Sequence, residues 1–274
     1  MTQRFGSVVS LRRTAALATA VLATAVLSAG CGTGDATEGT GPAPSPSADP
    51  KAALLAAVPD EKDPAFRFTT IEGADKFDGV VDPAARGLEL SMSEKSKDPE
   101  FTMGMTFRVI EEDIWMRVKI TGMAGLQDMM KLPKRWMLLD RTKLDDASDV
   151  PVYQNADPAN MAAVIRTAET VEDRGDGTYA GFADLTANAD IRESFTTVDV
   201  AALGDAAKKV PFTAVVGPDG NLTSLTLELP AAGKQKAMKV VAKYYDFGKA
   251  PKLTAPTGAQ VQKAPASAYE MLNG

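Results

Sequence analysis

The residue types that could do covalent chemistry are few. Cys31 is the single cysteine, and the chain has no histidine. Ser-His-Asp and Cys-His catalysis need an imidazole, and the usual zinc sites need His or several Cys ligands. Those classes are excluded, so no cofactor and no metal is expected. Carboxylates are plentiful, but no spacing singles out an acid/base pair. Glu111-Glu112-Asp113 and Asp145-Asp146 read as solvated turns. Arg174-Gly175-Asp176-Gly177 contains an adhesion tripeptide, yet glycines on both sides of the aspartate mark a hairpin turn. An enzyme would need carboxylates or a lysine with strongly perturbed pKa values, and nothing in the sequence points to one.

The lone thiol has a different context. Arg4, Arg12 and Arg13 precede it, and no acid appears before Asp35. Thr14 to Leu27 is an unbroken run of Ala, Thr, Val and Leu. That run is short for a membrane-spanning helix, which needs roughly 20 residues. A basic start, a short apolar core and small residues at its end describe an export signal over residues 1–30. Leu27-Ser28-Ala29-Gly30 resembles the bacterial lipobox, with leucine one place further from the cysteine than is common. The resemblance implies that Cys31 carries a diacylglyceryl thioether and becomes the mature N-terminus. An ordinary secretory signal with a chance cysteine is the competing reading. Two acyl chains hold a protein at a membrane stably where one is marginal. Residues 32–48 are rich in Gly, Thr, Ala, Pro and Ser without a bulky apolar residue. They cannot bury enough surface to offset ordering entropy, so residues 31–48 read as a lipidated tether. The expected location is the outer face of the cell membrane.

Net charge is −6, and loss of residues 1–30 removes three arginines and no acid, leaving −9. So acidic a chain is a poor partner for nucleic acid or for an anionic surface. Residues 49–274 read as one domain, with no repeat and no second linker; a monomer is expected.

Asp49 to Val58 has an aspartate cap, Pro50 at the first helical position and Pro59 as a stop, which predicts a short helix. Period-two alternation follows through Phe66 and Phe68, Leu88 to Met92, Phe101 to Val109 and Ile114 to Ile120. This predicts antiparallel strands with one dry face. Met123, Leu126, Met129 and Met130 share a helical face. A strand is expected at 135–140, and a helix opened by Asp157-Pro158 with Met161, Val164 and Ile165 as its stripe. Strands at 168–172 and 178–184, a helix from Asp199 to Lys209, and strands at 211–216, 225–229 and 238–247 complete the reading. About nine or ten strands and three or four helices, without a βαβ rhythm, predict an α+β fold: one large twisted antiparallel sheet with helices covering one face.

"VPFTAVVGPDGNLTSLTLEL" followed by "VVAKYYDFGKAPKLTAPTGAQV" resembles the closing segment of actinobacterial lipoproteins of the LppX/LprA/LprF/LprG type. These are distant structural relatives of the LolA lipoprotein carrier. "IWMRVKI…LPKRWMLLD" resembles the middle of that family. The resemblance implies an unclosed β-barrel with helices covering its concave face and an apolar cavity between them. It also implies binding of acylated lipid or glycolipid and its movement through the envelope, without catalysis.

Apart from Met1, every methionine lies between Met92 and Met271. Methionine suits walls that repack around varied partners, although the same stripes would fill an ordinary core. The expected cavity wall takes Phe66, Phe68, Leu88, Leu90 and Met92 from the first strands. It takes Phe101, Met103, Met105 and Phe107, then Ile114, Met116 and Val118, from the next two. The helices supply Leu126, Met129, Met130, Met161, Val164 and Ile165. A carrier of acylated lipid is the leading function, in which an envelope transporter could also take part. A sensor or adaptor that holds a protein partner is the alternative.

Overall fold

The computed structural model describes residues 49–195 and 197–274; the expected export signal, Cys31 and the expected tether lie outside them. The strands are β1 (Phe66–Glu72), β2 (Asp75–Asp82), β3 (Gly87–Lys97), β4 (Glu100–Ile110), β5 (Asp113–Thr121), β6 (Trp136–Leu138), β7 (Val171–Gly175), β8 (Thr178–Ala183), β9 (Val210–Val216), β10 (Leu222–Leu229), β11 (Met238–Tyr245) and β12 (Val261–Lys263). The helices are α1 (Pro50–Ala56), α2 (Leu126–Met129), α3 (Met161–Thr167), α4 (Ala189–Glu193) and α5 (Ala266–Asn273). The fold is α+β.

The twelve strands among the described residues form one open sheet in the order β12-β6-β5-β4-β3-β2-β1-β11-β10-β9-β8-β7. One meander runs from β1 to β6, and a second runs from β11 back to β7. They are joined where β1 pairs antiparallel with β11, Phe68 opposite Tyr244. The parallel contact is β12 on β6. The β7 edge carries exposed Glu172, Asp173 and Arg174, charges that discourage edge-to-edge pairing.

Alternation decides which face is dry. In β5, Ile114, Met116 and Val118 are buried while Arg117 and Lys119 are exposed. Their neighbours Met105, Phe107 and Val109 of β4 point the same way. On the opposite face the two tryptophans depart from the wet-face pattern: both are buried. The Arg108 and Arg117 guanidiniums lie 4.8 and 4.4 Å from the Trp136 ring centre, two cation–π contacts that help shield the indole. Leu54 of α1 and Met161, Val164 and Ile165 of α3 join the core of the dry face, and α1 packs on α3.

Local chemistry sets most boundaries. Asp49 caps α1 by accepting from the Lys51 N–H, with Pro50 next. Asp176 and Gly177 both adopt positive φ between β7 and β8, as a two-residue hairpin with twist-matching geometry requires. Several elements differ from expectation. The 123–130 stripe forms only one helical turn, which begins after Gly125 in a left-handed conformation. The segment from Asp199 is 3-10 rather than α, and Gly204 (φ 54°, ψ −131°) breaks it. Strands β2 and β12 and helices α4 and α5 are additional to the sequence reading. The helix read as capped by Asp157 with Pro158 in its first position begins three residues later, at Met161.

Candidate functional site

That late start shapes the site. Residues 151–160 cross the dry face without regular structure. Pro151 and Pro158 remove backbone donors, and the Asp157 N–H donates to Asn155 Oδ1 at 2.7 Å in a local turn. Between this segment and the sheet lies a groove of about 170 Å³. The sheet side is built by Phe68, Thr70 and Glu72 of β1, Phe77 of β2, Leu88, Leu90 and Met92 of β3, and Val240 of β11. The cover is built by residues 150–152, 154–155 and 157–161, with Ser194 and Phe195 closing one side.

A glycine sets the floor. Phe68 stands opposite Gly79 in the β1–β2 pair. A Cβ on Gly79 would collide with the Phe68 ring and the Glu89 carbonyl oxygen. Without it the ring lies flat on the sheet, and the space above it stays open.

Polar contacts hold the cover down. The buried Tyr244 hydroxyl donates to Asp157 Oδ1 at 2.6 Å. Asp157 Oδ2 accepts the Ala162 N–H at 2.8 Å, so Asp157 caps α3 from outside the helix. Burial pushes the Asp157 carboxyl above the ordinary aspartate range, and its hydrogen bonds only partly oppose this. Burial and the Asp157 charge both push the Tyr244 phenol well up. The Tyr153 hydroxyl donates to Glu61 Oε2 at 2.7 Å, and the Arg86 guanidinium lies 5.7 Å from the Tyr153 ring centre. At the far end, Glu72 Oε2 accepts from the Thr197 N–H and hydroxyl, both at 2.9 Å. Asn160 Nδ2 donates to Ser194 Oγ at 2.8 Å.

The groove gathers five of the residues expected at a cavity: Phe68, Leu88, Leu90, Met92 and Met161. Phe66, Met105, Phe107, Ile114, Met116, Val118, Val164 and Ile165 are buried in the packed core instead. Phe66 is occupied by aromatic neighbours, stacked on Phe247 at 4.8 Å and edge-on to Tyr244 at 6.2 Å. Phe101, Met103, Leu126 and Met130 are half-buried and outside the lining. Met129 points to solvent, 77% exposed, because α2 ends after one turn. Sequence reasoning missed Phe77, which sits in the unread β2, and the whole 150–160 cover. Two prolines in a stretch lacking any apolar period were the available signal for such a segment.

A larger hollow of about 650 Å³ lies between Lys143 and α5. It is open, and Asp145, Glu270 and Asn273 line it beside Tyr269. The smaller groove is the better apolar site. Among the described residues no cluster of metal-ligating side chains occurs, and no helix is long and apolar enough to cross a membrane.

No protein-family model matches the chain, and no curated protein matches it. Among solved structures it is similar to a porin-like protein from Bacteroides uniformis, at 10% identity over 69% of this chain and 99% of that one, with a TM-score of 0.24. A likeness that faint carries no argument about fold or function.

Proposed function

We propose that this protein is a membrane-anchored lipoprotein that binds an acyl chain of a lipid or glycolipid in the groove and carries or presents it in the cell envelope, without catalysis. The observation that carries the reading is the unfilled apolar strip between Phe68, Leu90 and Met92 on one side and the 150–161 segment on the other. Burial of methylenes supplies the driving force, at about 25 cal/mol per Å² of apolar surface. The lipobox resemblance at Cys31 supplies the anchor, and residues 32–48 supply reach. The LppX/LprG resemblance implies an unclosed barrel around helices, and an open sheet with α1 and α3 on its dry face supports that reading.

Size shapes the proposal. Sites for drug-sized ligands usually enclose roughly 300–1,000 Å³, and this groove holds about 170 Å³. As built it takes a length of one chain. A second chain enters only if the 150–160 cover moves, and that cover is held by side-chain contacts rather than by sheet pairing. The adaptor alternative would be favoured by a broad exposed apolar patch. The large exposed hydrophobics Met129, Phe182 and Tyr245 sit on separate elements, so no observation favours it.

The test is calorimetric titration of the full exported chain, with Cys31→Ser to keep it soluble, using decyl glucoside. Saturable binding with a negative heat-capacity change is expected, because apolar surface leaves water. Absence of any saturable heat would overturn the reading.

A further inference from the structure

The corner that follows β5 displays an apolar tip. The large exposed hydrophobics differ in how they are covered. Phe182 has the Lys209 ammonium 4.8 Å from its ring centre, and the Tyr245 hydroxyl lies 3.3 Å from Thr69 Oγ1. Met129 of α2 is 77% exposed, and its chain neighbours Met123, Leu126 and Met130 are half-buried. Both ends of this tip are held. Gly125 and Lys131 adopt positive φ on either side of α2. The buried Gln127 side chain donates to the Val118 carbonyl at 2.9 Å and accepts the Ile120 N–H at 3.4 Å, which ties α2 to β5. The Lys131 carbonyl accepts from Ser267 Oγ of α5 at 3.0 Å. The flanks are basic. Residues 119–135 hold Lys119, Lys131, Lys134 and Arg135, all exposed, against one acid, Asp128. Among the described residues none of these four cations forms an ion pair. Glu100 of β4, whose carbonyl lies beside Gly122, still leaves the corner cationic in a chain of net charge −6.

We propose that this tip is the face on which the anchored domain rests against an anionic lipid bilayer. Met129 enters the head-group layer, and Lys131, Lys134 and Arg135 meet the lipid phosphates. Apolar residues bordered by Lys and Arg are the composition that holds a segment at a membrane interface, and each cation near an anionic leaflet adds to the attraction. A tip this small does not hold a protein by itself. The Cys31 tether raises its local concentration at the membrane, so a weak contact is enough. The acidity of the rest of the chain turns the other faces away. Strand register relates the tip to the groove: Val118 pairs with Met105, and Met105 with Met92 of the groove wall. Two strand spacings separate Val118 from Met92, about 10 Å, so the docked domain holds its groove beside the bilayer. The inference rests on the proposed function for the anchor and adds the surface that meets the membrane.

The test imposes the anchor chemically. The chain from Cys31 to Gly274 is coupled through its one thiol to a maleimide lipid. The vesicles are equal parts phosphatidylcholine and phosphatidylglycerol with brominated acyl chains. Met129→Trp and Phe182→Trp each add an indole at an exposed position, one beside β5 and one on β8 towards the other end of the strand order. Trp115 and Trp136 are buried, and the parent supplies their background. Bromolipid should quench Met129→Trp about twofold more than Phe182→Trp, because only the former reaches the interface. Added salt, or Lys134→Glu with Arg135→Glu, should reduce the quenching of Met129→Trp and leave Phe182→Trp unchanged. Equal quenching at the two positions, or none at position 129, would overturn the inference. A blue shift of Met129→Trp emission on concentrating the Cys31→Ser chain without vesicles would assign the tip to a second copy and would also overturn it. Titration with decyl glucoside reads the groove separately: saturable binding there without quenching here overturns the docking face and leaves the proposed function standing.

Discussion

Asp157 is the residue on which the cover turns. It is buried, it holds the start of α3, and Tyr244 of β11 donates to it from the sheet. Replacing Tyr244 by Phe removes a hydrogen bond to a buried acid, and such bonds contribute about 1.5–3 kcal/mol. Urea unfolding of Tyr244→Phe should show a loss of that order. The pH dependence has a definite sign. Burial raises the folded carboxyl above the unfolded aspartate value of about 3.9. The folded protein therefore binds that proton more tightly than the unfolded chain. The resulting stability is fully present below the unfolded value and is lost as pH rises through the raised one. Asp157→Asn carries no titrating proton. Its unfolding free energy, followed from about pH 4 to 7, should fall less with rising pH than that of the parent. Parallel profiles would show that Asp157 does not carry this dependence.

At the scale of elements, the β1–β2 pair sets the groove floor. Gly79→Ala forces the Phe68 ring upward, and overpacking of this kind costs about 1–3 kcal/mol. The variant should unfold at lower urea and bind decyl glucoside more weakly, since the ring then occupies ligand space. This floor was hard to read from sequence. "DKFDGVVD" mixes aspartates and a glycine, all poor strand formers, so β2 left no alternating signature. Strands β3, β4, β5, β10 and β11 were legible because long apolar alternation can be satisfied only with one face buried. Helix α1 was legible because Asp49 and Pro50 set its start locally. Strand β12 has three residues and owes its existence to β6, a partner distant in sequence. The start of α3 was misplaced for a related reason. Asp157 followed by Pro158 has the composition of a cap, but its carboxylate reaches over an extra turn to Ala162. The groove wall was only partly legible: alternation separates a dry face from a wet one, but it cannot tell which dry positions meet a neighbour and which meet empty space.

For the whole molecule, the proposed function joins an expected export address to a candidate container. Cys31→Ala removes the attachment atom for the proposed lipid, and the protein should move from the membrane fraction to the soluble one; continued membrane association would contradict the anchor. An acidic chain of −6 over its full length does not adhere to anionic surfaces without an anchor. Two meanders closed by β1 against β11 make the container one cooperative sheet, so groove and scaffold should unfold together. Native mass spectrometry of the protein purified from its own cells tests the central claim most directly, alongside Leu90→Trp, whose larger ring fills the groove. The account predicts one acyl-chain-bearing molecule on the parent and none on Leu90→Trp. A parent that flies empty throughout, or a variant that holds the same molecule equally well, would contradict it.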